Sequence, residues 1–212
     1  MNLTGYGVNF GECGISLDEL LNQDKLLKIV KDYADYLETE SMAISASLFF
    51  KRYAVVTAAA ALDYYGLQNG RQNWLQHAKF DVNSFTLNIQ ETTVQMDEDW
   101  RKVLFIDHLL PMCQILSKEC KMPSRILWEN VAVRLNAVLK RGVSHYTDEA
   151  IQKQFEALNA IQPNWLVEQT NPLAQYIVHP NEEKVRKTCC RYYQLTKKED
   201  GMPYCLVCPL NK

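Results

Sequence analysis

The sequence predicts a mainly α fold with a small antiparallel β-hairpin or sheet (α+β), closed by a short C-terminal cysteine-rich segment. Three observations predict it. Apolar residues recur at helical spacing through most of the chain. They switch to strict alternation once, over AKFDVNSFTLNIQ. Four of the seven cysteines fall at or after Cys189, within RKTCCRYYQLTKKEDGMPYCLVCPLNK. With 212 residues, 47% hydrophobic and 23% charged, the chain can bury one sizeable core.

Taken in order, Ser16 with Glu19 forms a capping-box pattern. Leu20, Leu27, Val30 and Leu37 then share one helical face, so a first helix is expected over Leu17 to Glu38. A second, Ala-rich segment from Met42 to Tyr65 is apolar nearly all round, which marks a buried central helix, and Gly66 suits its C-terminal stop. In AKFDVNSFTLNIQ, Ala78, Phe80 and Val82 alternate with polar residues, Asn83 and Ser84 supply a turn, and Phe85, Leu87 and Ile89 alternate again. This reads as a hairpin, with a candidate third strand over Thr92 to Met96. Helical signals return over Glu98 to Cys120, where Pro111 should kink or split the helix, and over Pro123 to Arg141, where Gly142 closes it. A last helix is expected from Asp148 to Ile161, stopped by Pro163. The composition shifts after Pro180, so residues 1–180 read as a body and 181–212 as an appended segment.

A net charge of −2 and the lack of a basic stripe interleaved with aromatics argue against nucleic acid. The longest apolar stretch, Tyr53 to Leu62, is bounded by Lys51, Arg52 and Asp63 and is too short to span a bilayer. MNLTGYGVNF lacks the basic and apolar regions of a secretory signal, so a cytoplasmic location is expected, with cysteines present as thiols or metal ligands.

Soft sulfur donors select zinc, Cu(I) or iron–sulfur clusters, and the CxxC of Cys205 and Cys208 lets two sulfurs reach one metal. The vicinal Cys189–Cys190 pair is awkward around one tetrahedral ion and less so where a cluster offers two irons. A redox dithiol fits poorly, because Pro209 and the three residues after it leave no helix to lower a thiol pKa. Spacing therefore favours iron–sulfur over zinc, and metal over no metal.

TCCRYY followed by YCLVCPL resembles the C-terminal signature of the FhuF-like ferric siderophore reductases, and SLFFKRYAVV resembles the family more weakly. The resemblance implies a 2Fe-2S cluster on Cys189, Cys190, Cys205 and Cys208. It also implies reduction of a ferric siderophore, of hydroxamate or citrate-hydroxamate type, by electrons from a ferredoxin, a flavodoxin or a flavin reductase. Peripheral contact with an uptake transporter at the inner face of the membrane stays open. Fourteen residues separate Cys190 from Cys205, more than the family's usual spacer, and QLTKKEDGMP reads as a polar loop bulging outward. No catalytic acid, base or nucleophile is required, and no P-loop, dinucleotide fingerprint or nucleophile elbow is present.

Lys184, Arg186, Lys187, Arg191, Lys197 and Lys198 face only Glu199 and Asp200 in this stretch; they are either a solvated basic loop or a surface that attracts an anionic chelate or donor. Lys51 and Arg52 interrupt the buried second helix and must snorkel outward or line a chelate site. The substrate-binding candidates are thus Lys51, Arg52, Lys184, Lys187 and Arg191. His179 could serve the cluster surroundings or a turn. Cys113, Cys120 and the four tryptophans read as packing. The competing reading is a zinc-stapled siderophore-binding or interaction module with no redox activity.

Overall fold

A computed structural model describes residues 3–160, 170–183, 185–198 and 201–211. About half of the chain is helical, and a four-stranded sheet lies to one side. Helix α1 spans Gln23–Tyr36, α2 Met42–Ala54, α3 Leu110–Glu119, α4 Ser124–Gly142 and α5 Asp148–Asn159. The strands are β1 Val8–Phe10, β2 Ile15–Ser16, β3 Lys79–Asp81 and β4 Thr86–Ile89, in the order β1-β4-β3-β2.

The Ser16–Glu19 capping box forms, with Ser16 N–H donating to the Glu19 carboxylate and Glu19 N–H to Ser16 Oγ, each at 3.2 Å. It caps only a 3-10 turn, Glu19–Leu21. The α-helix starts later than expected because Asn22, in an extended conformation, supplies a second cap by accepting from Lys25 N–H at 3.1 Å. Helix α2 does not stop at Gly66. It runs on through π-helical turns Val55–Ala59 and Leu62–Leu67. Gly66 is needed there for close approach, since a Cβ would lie 2.8 Å from Gln154 Oε1 on α5.

The hairpin forms as β3 and β4, paired antiparallel with Phe80 opposite Leu87. Thr92–Met96 does not become a strand; only Gln95 makes a bridge, to Gln72. The sheet is completed instead by two strands from the N-terminus, β1 parallel to β4 and β2 antiparallel to β3. These are too short for alternation to register. The hairpin's apolar face meets α2: Phe80 packs edge-on against Phe49 and Tyr53, with centroids 6.0 and 5.1 Å apart. Each such fully buried ring contributes roughly 1.5–3 kcal/mol by the usual area bookkeeping.

Before Pro111 the helix widens into π turns over Lys102–Leu109, and α3 begins with the proline in its first turn, where a missing N–H is tolerated. Helices α4 and α5 form as expected, although Ile161, Pro163 and Trp165 lie outside the described residues. Trp74 and Trp128 are buried, as are Cys113 and Cys120. Among the described residues no helix is long and apolar enough to cross a membrane.

Candidate metal centre

The cysteine segment docks where α1 turns into α2. Leu37, Ile44 and Leu48 form a second apolar cluster with Cys190, Leu195, Cys205 and Cys208, edged by Tyr33, Tyr192 and Tyr204. A relay of polar contacts fixes it there. Asn130 on α4 donates to the Ser47 carbonyl and hydroxyl at 2.8 and 3.0 Å, and Ser47 Oγ donates to the Cys190 carbonyl at 3.0 Å. The Glu129 carboxylate, buried on the same helix, accepts from Lys187 N–H at 2.6 Å, from Thr188 N–H at 2.7 Å, and from the Thr188 hydroxyl. One buried acid thus satisfies three donors just ahead of the CC pair.

Two turns bring the cysteine motifs together. Arg191 adopts a left-handed conformation (φ 65°), which reverses the chain after the pair. Its N–H donates to Cys189 Sγ at 3.3 Å, and the Tyr192 N–H bonds Cys190, a small nest of amides suited to anionic sulfur. Across the site, Cys208 N–H donates to the Cys205 carbonyl at 2.9 Å and closes the CxxC turn. Sulfurs of the two motifs then approach each other: Cys190 and Cys205 lie 3.6 Å apart, and Cys208 is near enough to Cys189 to help raise its thiol. Among the described residues, no three His, Cys, Asp or Glu side chains are grouped to hold a single metal ion.

Cations face Cys190 and Cys205. Lys51 Nζ is 3.7 Å from Cys190 Sγ. The hydrogen bond shared with Cys205 is the main cause that lowers the Cys190 thiol, against the opposing effect of burial; Lys51, the Tyr192 amide and Arg186 lower it further. The same shared bond, with burial, pushes the Cys205 thiol up. Cys189 is raised, first by burial and against the Arg191 amide.

Arg186 is the most telling of these groups. Its side chain is 1% exposed, Glu129 Oε2 lies 3.6 Å from its Nε, and none of its three nitrogens has a hydrogen-bond partner among the described residues. A guanidinium buried beside two thiols with its donors unused fits an anionic group held on those sulfurs, because leaving such donors unmet is costly.

A groove of about 1060 Å³ opens over the site and is walled by Lys51, Arg134, Arg186, Lys187 and Cys205 among others. Of the residues singled out from sequence, Lys51, Arg52 and Lys187 line it, with Arg52 stacked 4.4 Å over the Phe85 ring. Arg191 serves the CC turn and is not part of the groove wall, and Lys184 lies outside the described residues. His179 does line the groove, its ring edge-on to Phe155 at 5.3 Å. Arg134 and Glu129 escaped the sequence reading. The only signal was a polar Glu-Asn step and an arginine inside the otherwise apolar stretch ILWENVAVRL. Within the spacer, Leu195 is buried and belongs to the site, whereas Thr196, Lys197 and Gly201 to Pro203 are exposed.

A protein-family model described as ferric iron reductase FhuF-like transporter matches residues 71–184. That stretch carries β3, β4 and α3 to α5, with Glu129 and Arg134, and ends ahead of the four C-terminal cysteines. No curated protein matches the chain. The match covers more than half of the sequence, and the chain belongs to the FhuF-like family.

Proposed function

With that membership as premise, we propose that the protein is a cytoplasmic ferric siderophore reductase that holds a 2Fe-2S cluster on Cys189, Cys190, Cys205 and Cys208. In this reading residues 181–212 are the cluster-binding segment and residues 1–180 the body that presents it. The observation that carries the reading is the approach of sulfurs across the two motifs beside the unmet donors of Arg186. Such a cluster would take four thiolates, and Cys189, Cys190, Cys205 and Cys208 would supply them.

When bound, such a cluster supplies a one-electron carrier. The chain's own residues hold and bias it. Lys51 places positive charge at Cys190 Sγ, and the Arg191 and Tyr192 amides face Cys189 and Cys190. Arg186 offers donors toward the same side. Positive charge and N–H groups near the sulfurs favour the electron-rich state, so they raise the reduction potential. The substrate's ferric ion accepts one electron and becomes ferrous, which binds hard oxygen donors more weakly and leaves the chelate. The electron comes from an external one-electron donor of the ferredoxin or flavodoxin type, or from a flavin reductase.

The test is an anaerobic assay in which the protein, kept reduced by a donor, meets a panel of ferric siderophores while a ferrous-specific chromogenic chelator traps the product. Ferrous release that is stoichiometric with electrons supplied, and lost on Cys205→Ser, is expected. A protein loaded with zinc that reduces no chelate would support the stapled-module reading instead.

A further inference from the structure

The groove above Cys205 is built unevenly. Its cations come from four stretches of chain: Lys51 and Arg52 from α2, Arg134 and Lys140 from α4, Arg186 and Lys187 from the segment before the CC pair, and Lys197, paired with Glu38, from the spacer. Three carboxylates share the wall. Glu129 is turned inward and consumed by Lys187 N–H, Thr188 and Arg186. Glu182 and Glu183 stand at the outer rim, where Glu183 is 94% exposed and meets Lys140 loosely at 3.7 Å. The end nearest the sulfurs is therefore positive and the mouth mixed.

Arg134 sits in the middle of α4, a rigid element, and its one hydrogen bond among the described residues uses Nε, which donates to the Lys51 carbonyl at 3.3 Å. That bond orients the planar fork and leaves the two terminal nitrogens for a ligand. A fixed guanidinium fork matches a carboxylate in two-point geometry, which a lysine cannot reproduce. The volume is at the upper end of small-molecule sites, room for a whole chelate and not merely an ion.

We propose that this groove is the chelate site and that it selects ferric chelates of net negative charge, seating a free carboxylate arm of the ligand on Arg134. The inference rests on the reductase reading for the identity of the ligand as an iron chelate. Chelates of citrate type keep carboxylates beyond those that bind iron and are anionic. Trihydroxamates are neutral around the iron, and cationic where they carry an amine. The positive inner end attracts the first group and repels the last, and it brings the bound iron to the Cys205 side of the sulfurs.

Gallium(III) chelates test this, since gallium matches ferric iron in charge and size and is not reduced. The metal-loaded protein is titrated calorimetrically with an anionic citrate-type gallium chelate and with an amine-bearing, cationic trihydroxamate one, at low and high salt. The anionic chelate should bind at least about tenfold more tightly, with the gap narrowing at high salt. Arg134→Gln should weaken the anionic chelate about tenfold and leave the cationic one unchanged, and Arg134→Lys should restore only part. If Arg134→Gln fails to fold or to keep its metal, the Lys140→Gln, Lys187→Gln double variant should move the same ratio in the same direction. Equal binding of the two chelates, or a preference untouched by these variants, overturns the inference. Protein that reduces ferric chelates without any charge preference fails this inference alone. Protein that prefers the anionic gallium chelate yet reduces nothing fails the reductase reading and leaves the groove assignment standing.

Discussion

Cysteines of this chain are buried in two places, and the two burials have opposite chemical results. Cys113 on α3 and Cys120 just beyond it sit in the main core, where loss of water pushes their thiols up to about 12 and about 11. Cys190 is as deeply buried, at 1% exposure, yet its thiol is lowered by its bond with Cys205, by Lys51, by the Tyr192 amide and by Arg186. Burial alone makes a small apolar filler. Burial with donors and cations facing the sulfur favours the thiolate, the form that binds metals.

Replacing one cysteine of each kind should give the largest difference. Cys190→Ser should lose most of the bound iron and its visible absorption. Cys113→Ser should keep both and lower thermal stability by about 1–3 kcal/mol, the cost of a hydroxyl in an apolar site. Iron content and a melting curve on each variant check this, and full iron in Cys190→Ser would remove the distinction.

Next in size is the acid that holds the segment. Glu129→Gln turns one of the two accepting oxygens into an N–H donor and removes the counter-charge of Arg186, both partners being at most 4% exposed, so a loss of about 3–5 kcal/mol is expected. The expected readout is rapid proteolysis after residue 183 and a metal centre that bleaches sooner, with the helical circular dichroism largely kept.

The core supplies the contrasting case of a polar group made neutral. His108 Nε2 lies 2.7 Å from Tyr53 Oη, and burial lowers the imidazole from 6.5 to about 4. Between those pH values the unfolded chain binds a proton that the folded chain refuses. Stability is therefore full above pH 6.5 and falls as pH drops toward 4, by roughly 3 kcal/mol at most. His108→Gln should flatten that slope in denaturant titrations at several pH values.

Much of the fold could be read from period and punctuation. The hairpin was legible because Phe80, Phe85, Leu87 and Ile89 alternate over one buried face, and a distortion of the helix near Pro111 because proline lacks a donor, although the helix changes from π to α turns there and does not split. The N-terminal strands were not, since two or three residues carry no period and their pairing is set by a hairpin some seventy residues away. At the site, the four cysteines stood out by spacing and composition. Glu129, Asn130 and Arg134 did not, because a polar residue inside an apolar helix shows its purpose only when the segment it meets is in place. The long spacer was half legible: its tip is exposed, but Leu195 turns inward and packs with Cys190 and Cys205.

The smallest expected effect follows from that last point. Removing four residues between Thr196 and Pro203, with Leu195 kept, should leave iron content unchanged, because the loop-closure term changes by only about 0.3 kcal/mol. Lost iron in that variant would show that the loop shapes the site.

If the four C-terminal cysteines hold a two-iron, sulfide-containing centre, protein purified without oxygen and assayed for iron, zinc and acid-labile sulfide should be red-brown, with iron and sulfide in equal amounts, about two of each per chain. A colourless protein with one zinc per chain and no sulfide would mean that the cysteines staple the fold around a single ion.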